Sequence, residues 1–243
     1  MKMESFDNIQ VDVPTCRVIL EPGEDYSLEY QLSSAYQLAE IGLRDGTLYF
    51  QCRHRWPAAL LFWKHAESWV RVTVPAGAKL RRVSVRSVSG EVNIAGLAAE
   101  TVSVEAVSGA VRLADIDAGE LSVRHTSGSV ELDGAQAERL TGRSVSGSLR
   151  GRNLATGGMD YETTSGRIEL SGAISGQTAL QTVSGGVKAD VALPSASFSY
   201  ELSSTTGKKE VNGYPAASHV LPGTPNYLRV RTTSGGIRVN FAE

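Results

Sequence analysis

Cysteine is scarce in this chain: Cys16 and Cys52 stand alone among 243 residues, which excludes a disulfide-dense secreted scaffold. An excess of either charge is missing as well. Lys+Arg total 24 against Asp+Glu 26, a net charge of −2. The balance holds locally, with 8 basic and 10 acidic residues in 1–79 and 16 of each in 80–243. Binders of duplex nucleic acid carry a basic excess to neutralise phosphates, so nucleic acid is not expected as a partner. Long hydrophobic runs are also lacking. The longest, Trp56-Pro57-Ala58-Ala59-Leu60-Leu61-Phe62-Trp63, is far short of the roughly 20 residues a membrane-spanning helix needs. No apolar stretch follows Lys2, so the expected compartment is the cytoplasm, with a peripheral position at the inner membrane as the variant.

What the chain does have is a repeat. Ser-Gly pairs occur at Ser89-Gly90, Ser108-Gly109, Ser127-Gly128, Ser146-Gly147, Ser165-Gly166 and Ser184-Gly185, each glycine 19 residues after the last. Gly207 and Gly235 follow at longer intervals. Two and four residues after the glycine stand apolar columns, Val92, Val111, Val130, Leu149, Ile168, Val187 and then Ile94, Leu113, Leu132, Gly151, Leu170, Ala189. Five and seven residues before it are Val85, Val104, Val123, Gly142, Tyr161, Leu180 and Val83, Val102, Leu121, Leu140, Met159, Thr178. Apolar residues at spacing two on both sides of a corner predict two short half-buried strands per unit. A unit of this size cannot bury its own apolar face, so neighbouring units must stack. The expected fold is all-β: one parallel β-solenoid domain over 1–243. Its parts are irregular capping strands (1–79), regular coils (80–192), a loop-rich coil (193–226) and a closing coil (227–243).

The outward positions support stacking. Three residues after each glycine the column reads Asn93, Arg112, Glu131, Arg150, Glu169, Lys188, Glu210 and Arg238, alternating in sign from Arg112 onward. In a parallel stack these side chains lie about 4.8 Å apart, where opposite charges attract and like charges repel. Exposed pairs contribute only about 0–1 kcal/mol each, so the ladder acts on register more than on stability. The serines beside the glycines are read as structural, their hydroxyl columns bonding to each other or to the corner backbone.

The Ser/Thr-x-Ser-Gly-x-Val/Ile units, the strand Trp69-Val70-Arg71-Val72-Thr73-Val74-Pro75 and the closing Arg231-Thr232-Thr233-Ser234-Gly235-Gly236-Ile237-Arg238-Val239 together resemble the bacterial "putative adhesin" family. That resemblance, from about Phe6 to Phe241, implies a β-helical domain of unknown function with no assigned catalytic residues and no cofactor.

Chemistry-bearing clusters are sparse in the sequence. Asp115, Asp117, Asp133, Asp160 and Asp190 fall at scattered columns, and Asp133 and Asp190 share one column but lie three coils apart. Paired carboxylates for glycoside cleavage are therefore not readable. Cys52-Arg53-His54, with Cys16 on another strand, is the one arrangement that invites a metal. Free cysteines are more often small buried hydrophobes, and no metal or catalytic residue is assigned. The expectation is a non-enzymatic interaction or scaffold protein binding a protein partner or itself. The alternatives are a self-assembling scaffold like the bactofilins and a glycan-binding or glycan-cleaving β-helix.

Trp56, Leu60, Leu61, Phe62 and Trp63, flanked by Arg55 and Lys64, form the segment with the most binding character. It is either a hydrophobic lid over the open end of the stack or a contact for a partner or membrane surface. The substitution Leu61→Asp separates the two readings by light scattering and thermal melting. A lid predicts unfolding or aggregation; an interface predicts an intact melt and loss of association.

Overall fold

Why 19 residues make one turn of the structure follows from the burial pattern. The computed structural model describes residues 2–55, 67–221 and 223–242; the aromatic segment Trp56–Trp63 lies outside them. The chain opens with β1 (Asn8–Val13), β2 (Arg17–Gly23), β3 (Ser27–Gln31), β4 (Tyr36–Arg44), β5 (Thr47–His54) and β6 (Trp69–Pro75). The repeats form β7 (Lys79–Ser87), β8 (Val92–Ala95), β9 (Ala98–Ser108), β10 (Val111–Ala114), β11 (Asp117–Asp133), β12 (Gln136–Ser165), β13 (Ile168–Ser184) and β14 (Val187–Pro194). After one 3-10 turn at Ser195–Ser197 come β15 (Phe198–Ser204), β16 (Lys209–Val211), β17 (Tyr214–Pro215), β18 (Asn226–Ser234) and β19 (Ile237–Ala242). All 19 belong to one sheet.

The repeat columns pair as the sequence predicts. Val92, Val111, Val130, Leu149, Ile168 and Val187 are consecutive partners in parallel ladders. Every described residue of the four apolar columns is buried. The expectation of two short strands per unit needs correcting, however. In the middle of the stack pairing runs unbroken through the corner, Ser127 to Ser146, Gly128 to Gly147 and Ser129 to Ser148. A third inward pair also exists. Leu97, Ile116, Ala135 and Leu154 are buried, as are Ala99, Ala118, Ala137 and Thr156. The alternation skips a residue before this pair because the chain turns there through positive φ. Gly96 (61°), Asp115 (50°), Gly134 (66°) and Asn153 (51°) occupy that corner, the residue types that tolerate the left-handed region.

Size complementarity replaces uniform filling where a column seems to break. Gly142 leaves room for the ring of Tyr161 on the next rung, with which any Cβ would collide, and Gly151 makes room for Leu154 on its own rung and Leu170 on the next. Large residues beside small ones thus keep the interior close-packed.

Neither end of the stack follows chain order. β1 lies between β5 and β7, and β2 between β6 and β8. The N-terminal rung is therefore second in the stack, with β5 and β6 outermost and β4 and β3 antiparallel against them. The other end mirrors this. β18 lies between β13 and β15, and β19 between β14 and β16, with β17 antiparallel on β16. The coil that closes the chain is therefore last but one in space. Antiparallel additions cover strands that would otherwise be bare edges.

The Ser-Gly corners hold the rungs together at close range. A Cβ on Gly109 would stand 2.7 Å from the carbonyl oxygen of Gly90, and one on Gly147 2.5 Å from that of Gly128. Gly166, Gly185, Gly235 and Gly207 meet the oxygens of Gly147, Gly166, Gly185 and Gly235 still more closely. This series reproduces the stacking order, including the insertion of the Gly235 rung before that of Gly207. Gly166→Ala must push backbone against backbone and should cost about 1–3 kcal/mol, a fall of about 3–10 °C in melting temperature. Gly236→Ala, whose Cβ would find Lys208 at an ordinary 3.6 Å, should shift it by about 1 °C or less. A thermal melt of the two variants checks the contrast.

Candidate interaction surface

Alternation through the corner decides what faces solvent. The residue three before each glycine points inward, so those two and four before it point out. The first outward column holds Val88, Val107, Val145 and Val183, which are 50%, 47%, 51% and 46% exposed, with Thr126 and Thr164 between them. The second holds Asp12, Arg86, Glu105, Arg124 and Arg143, paired rung to rung, with Glu162 beside Arg143 as its ion-pair partner. Between the two columns runs a groove of about 630 Å³ lined by Arg86, Val88, Glu105, Val107, Arg143 and Val145. It crosses several rungs along the stack.

The charges along this groove are largely matched. Glu105 accepts from Arg86 at 3.2 Å and lies 3.7 Å from Arg124; Arg143 lies 3.7 Å from Glu162. Arg124 and Arg143 are neighbours in register, so two like charges meet mid-groove and each turns to a carboxylate on its far side. Sequence reading missed this second ladder because it does not alternate strictly.

The first ladder is where the sequence placed it, with a change of order. Arg112 pairs with Glu131 at 3.4 Å and Arg150 with Glu169 at 3.5 Å. Arg112 is also paired with Glu91. Alternation stops at Lys188, which lies beside Arg238 because β19 is inserted there. Lys188 turns to Asp190 at 2.9 Å, while Arg238 reaches Glu210 at 3.2 Å. Chain order predicted Lys188 beside Glu210; the inserted rung overrides it.

The corner serines divide into two kinds. Ser89, Ser127, Ser146, Ser165 and Ser184 are exposed and Ser108 is half-buried, and among the described residues none of these hydroxyls has a hydrogen bond. The working column is the one three before glycine. Thr163, Thr182, Thr232 and Ser204 donate to the carbonyls of Gly147, Gly166, Gly185 and Gly235 at 3.3, 3.2, 3.1 and 2.9 Å. His125 takes the same role, Nε2 lying 2.9 Å from the Gly109 oxygen. Its ring is buried in the corner. Burial lowers its pKa, and the hydrogen bond to Gly109 opposes that shift without overturning it.

The other candidates do not converge. His54 is exposed while Cys16 and Cys52 are buried together, and no cluster of metal-ligating residues occurs among the described residues. Asp190 is occupied by Lys188 and by Asn240 at 2.6 Å. Burial opposes its charge, but those two hydrogen bonds and the cations Lys188 and Arg238 hold it below the ordinary carboxylate range.

Residues 6–220 match the family described as Toastrack DUF4097. The chain belongs to that family. No curated protein matches it significantly. Its fold is shared with an adhesin candidate from Bacteroides fragilis (TM-score 0.55, 15% identity, covering 100% of this chain and 94% of that one). It is shared also with a protein from Parabacteroides distasonis titled as a lipid-binding candidate (TM-score 0.51, 11% identity, covering 100% and 95%). At these identities the likeness is one of fold.

In this Toastrack chain the outermost C-terminal strand is clasped by charge. Glu201 on β15 accepts from the Tyr227 hydroxyl at 2.8 Å, from Arg231 at 3.1 Å and from Arg229 at 3.2 Å, all on β18. The Tyr227 hydrogen bond first, then that of Arg231, hold its carboxyl below the ordinary 4.5. A carboxyl depressed in the folded state stabilises above its unfolded pKa and loses that contribution as pH falls through the folded one. Hydrogen exchange at β15 should therefore accelerate selectively as pH drops below about 4.5, once corrected for intrinsic exchange rates, while β9 stays protected. Glu201→Gln should remove the pH step.

Proposed function

We propose that this Toastrack chain is a β-solenoid of about 19-residue coils that serves as a non-enzymatic docking platform, with the valine-lined groove as its contact face for a protein partner. The observation that carries the reading is the repetition of half-exposed valines at Val88, Val107, Val145 and Val183. Single exposed apolar residues are ordinary, whereas a column of valines interrupted only by Thr126 and Thr164 and rimmed by charge has the make-up of a protein contact. Arg86, Glu105, Arg124, Arg143 and Glu162 supply the rim. Since that rim is mixed in sign, the fitting partner is a protein surface with its own mixed charges, not a polyanion.

The bactofilin-like alternative, end-to-end assembly, is less well supported because β3, β4 and β17 cover strands at both ends. A glycan-cleaving reading needs free paired carboxylates, and Asp190 is already engaged by Lys188 and Asn240. The proposed setting is the cytoplasm or the inner membrane face. No helix among the described residues is long and apolar enough to cross a membrane.

Chemical crosslinking in source cells tests the platform. Crosslinks to a protein should concentrate on the face between Arg86 and Glu162, and the double substitution Val107→Asp/Val145→Asp should abolish them. As surface changes these should leave stability within about 1 kcal/mol of wild type. Crosslinks that map elsewhere, or persist in a folded double variant, overturn the reading.

A further inference from the structure

The two cysteines, far apart in sequence, meet at the N-terminal end of the stack. Cys16 sits on the turn between β1 and β2, at the position where other rungs carry the corner glycine. Its carbonyl oxygen is what a Cβ on Gly90 would strike. Cys52 lies near the end of β5, one residue beyond the last register pair of Asp12 with Gln51. The two Sγ atoms are 3.5 Å apart, and the side chains are 0% and 3% exposed. Both thiols are free. A disulfide needs its sulfurs at about 2.0 Å, so bonding closes the existing contact by about 1.5 Å.

We propose that Cys16 and Cys52 are a disulfide-forming pair that latches the outermost N-terminal rung onto the rung beneath it. The location gives the bond a mechanical role. Among the described residues β5 is the outer strand on its face, covered by antiparallel β4, and it guards the pairing edge of β1. A crosslink there ties together strands separated by 36 residues of chain, holding the end of the stack closed.

The chemistry is thiol–disulfide exchange with a small or protein disulfide as oxidant. The thiolate of one cysteine attacks one oxidant sulfur, forming a mixed disulfide and releasing one thiolate. The thiolate of the other then attacks the protein sulfur of that mixed disulfide and releases the second. The protein loses two thiol protons and two electrons; the oxidant becomes two thiols. The hydrogen bond from Cys52 lowers the Cys16 thiol despite burial, and the same hydrogen bond, followed by burial, raises Cys52. Both buried sulfurs are reached when the outer rung opens. In a reducing compartment the pair stays as thiols, and in an oxidising one the latch closes.

Equilibration of the whole chain with oxidised and reduced glutathione, followed by denaturation in N-ethylmaleimide and intact-mass analysis, tests this. The expected oxidised product is monomeric, takes up no maleimide and yields one peptide pair joined through Cys16 and Cys52. It should melt about 5–10 °C above the reduced form, with slower hydrogen exchange confined to β5 and β1. In Cys52→Ser and in Cys16→Ser alike, the remaining cysteine should stop at the glutathione mixed disulfide. If two maleimides still add after oxidation, or the product is an intermolecular dimer, the proposal fails. It fails equally if the crosslink forms without slowing exchange at β5.

Discussion

The structure depends on one close approach: the backbone of each rung rests against the carbonyl of its neighbour at a corner where a Cβ has no room. From Gly90 through Gly109, Gly128, Gly147, Gly166, Gly185, Gly235 and Gly207, each glycine lies against the carbonyl of the one before it in space. Those carbonyls also accept the inward hydroxyls of Thr163, Thr182, Thr232 and Ser204. Close approach and hydrogen bonding therefore act on the same atom. This explains why glycine recurs with a small polar residue three positions before it, and why His125, which can donate from Nε2, stands in the same column.

A stack held by such contacts needs its ends closed. Both ends use the same solution, in which a terminal piece of chain is inserted beneath an outer rung. The outer rung is then secured by side chains of that inserted piece. At one end Glu201 is held by Tyr227, Arg229 and Arg231. At the other, Cys52 lies against Cys16. The terminal strands thus gain neighbours on both sides, and parallel edges that could pair with other chains are covered.

Much of this was legible in the sequence for a definite reason. A 19-residue period brings equivalent residues into adjacent rungs, so the columns through Val92, Val83 and the corner glycines announced both the stacking and the buried faces. The third inward pair was hidden. Its second column is mostly alanine, at Ala99, Ala118 and Ala137, and the positive-φ corner at Asp115 and Asn153 shifts the alternation by one residue. The valine-lined groove was hidden for a different reason. Val88, Val107, Val145 and Val183 look like core residues until the inward direction of their neighbours is known.

The sequence by itself determined that units stack, which four columns flanking the corner enter the core and where glycine must stand, because each depends on neighbours one period away. Only the tertiary structure decided the order of the end rungs and what that order brings together. Lys188 beside Arg238, Glu201 under Tyr227 and Cys16 against Cys52 are consequences of inserted terminal strands. No local period records an insertion of that kind, since its partners are set by which distant strand covers an exposed edge.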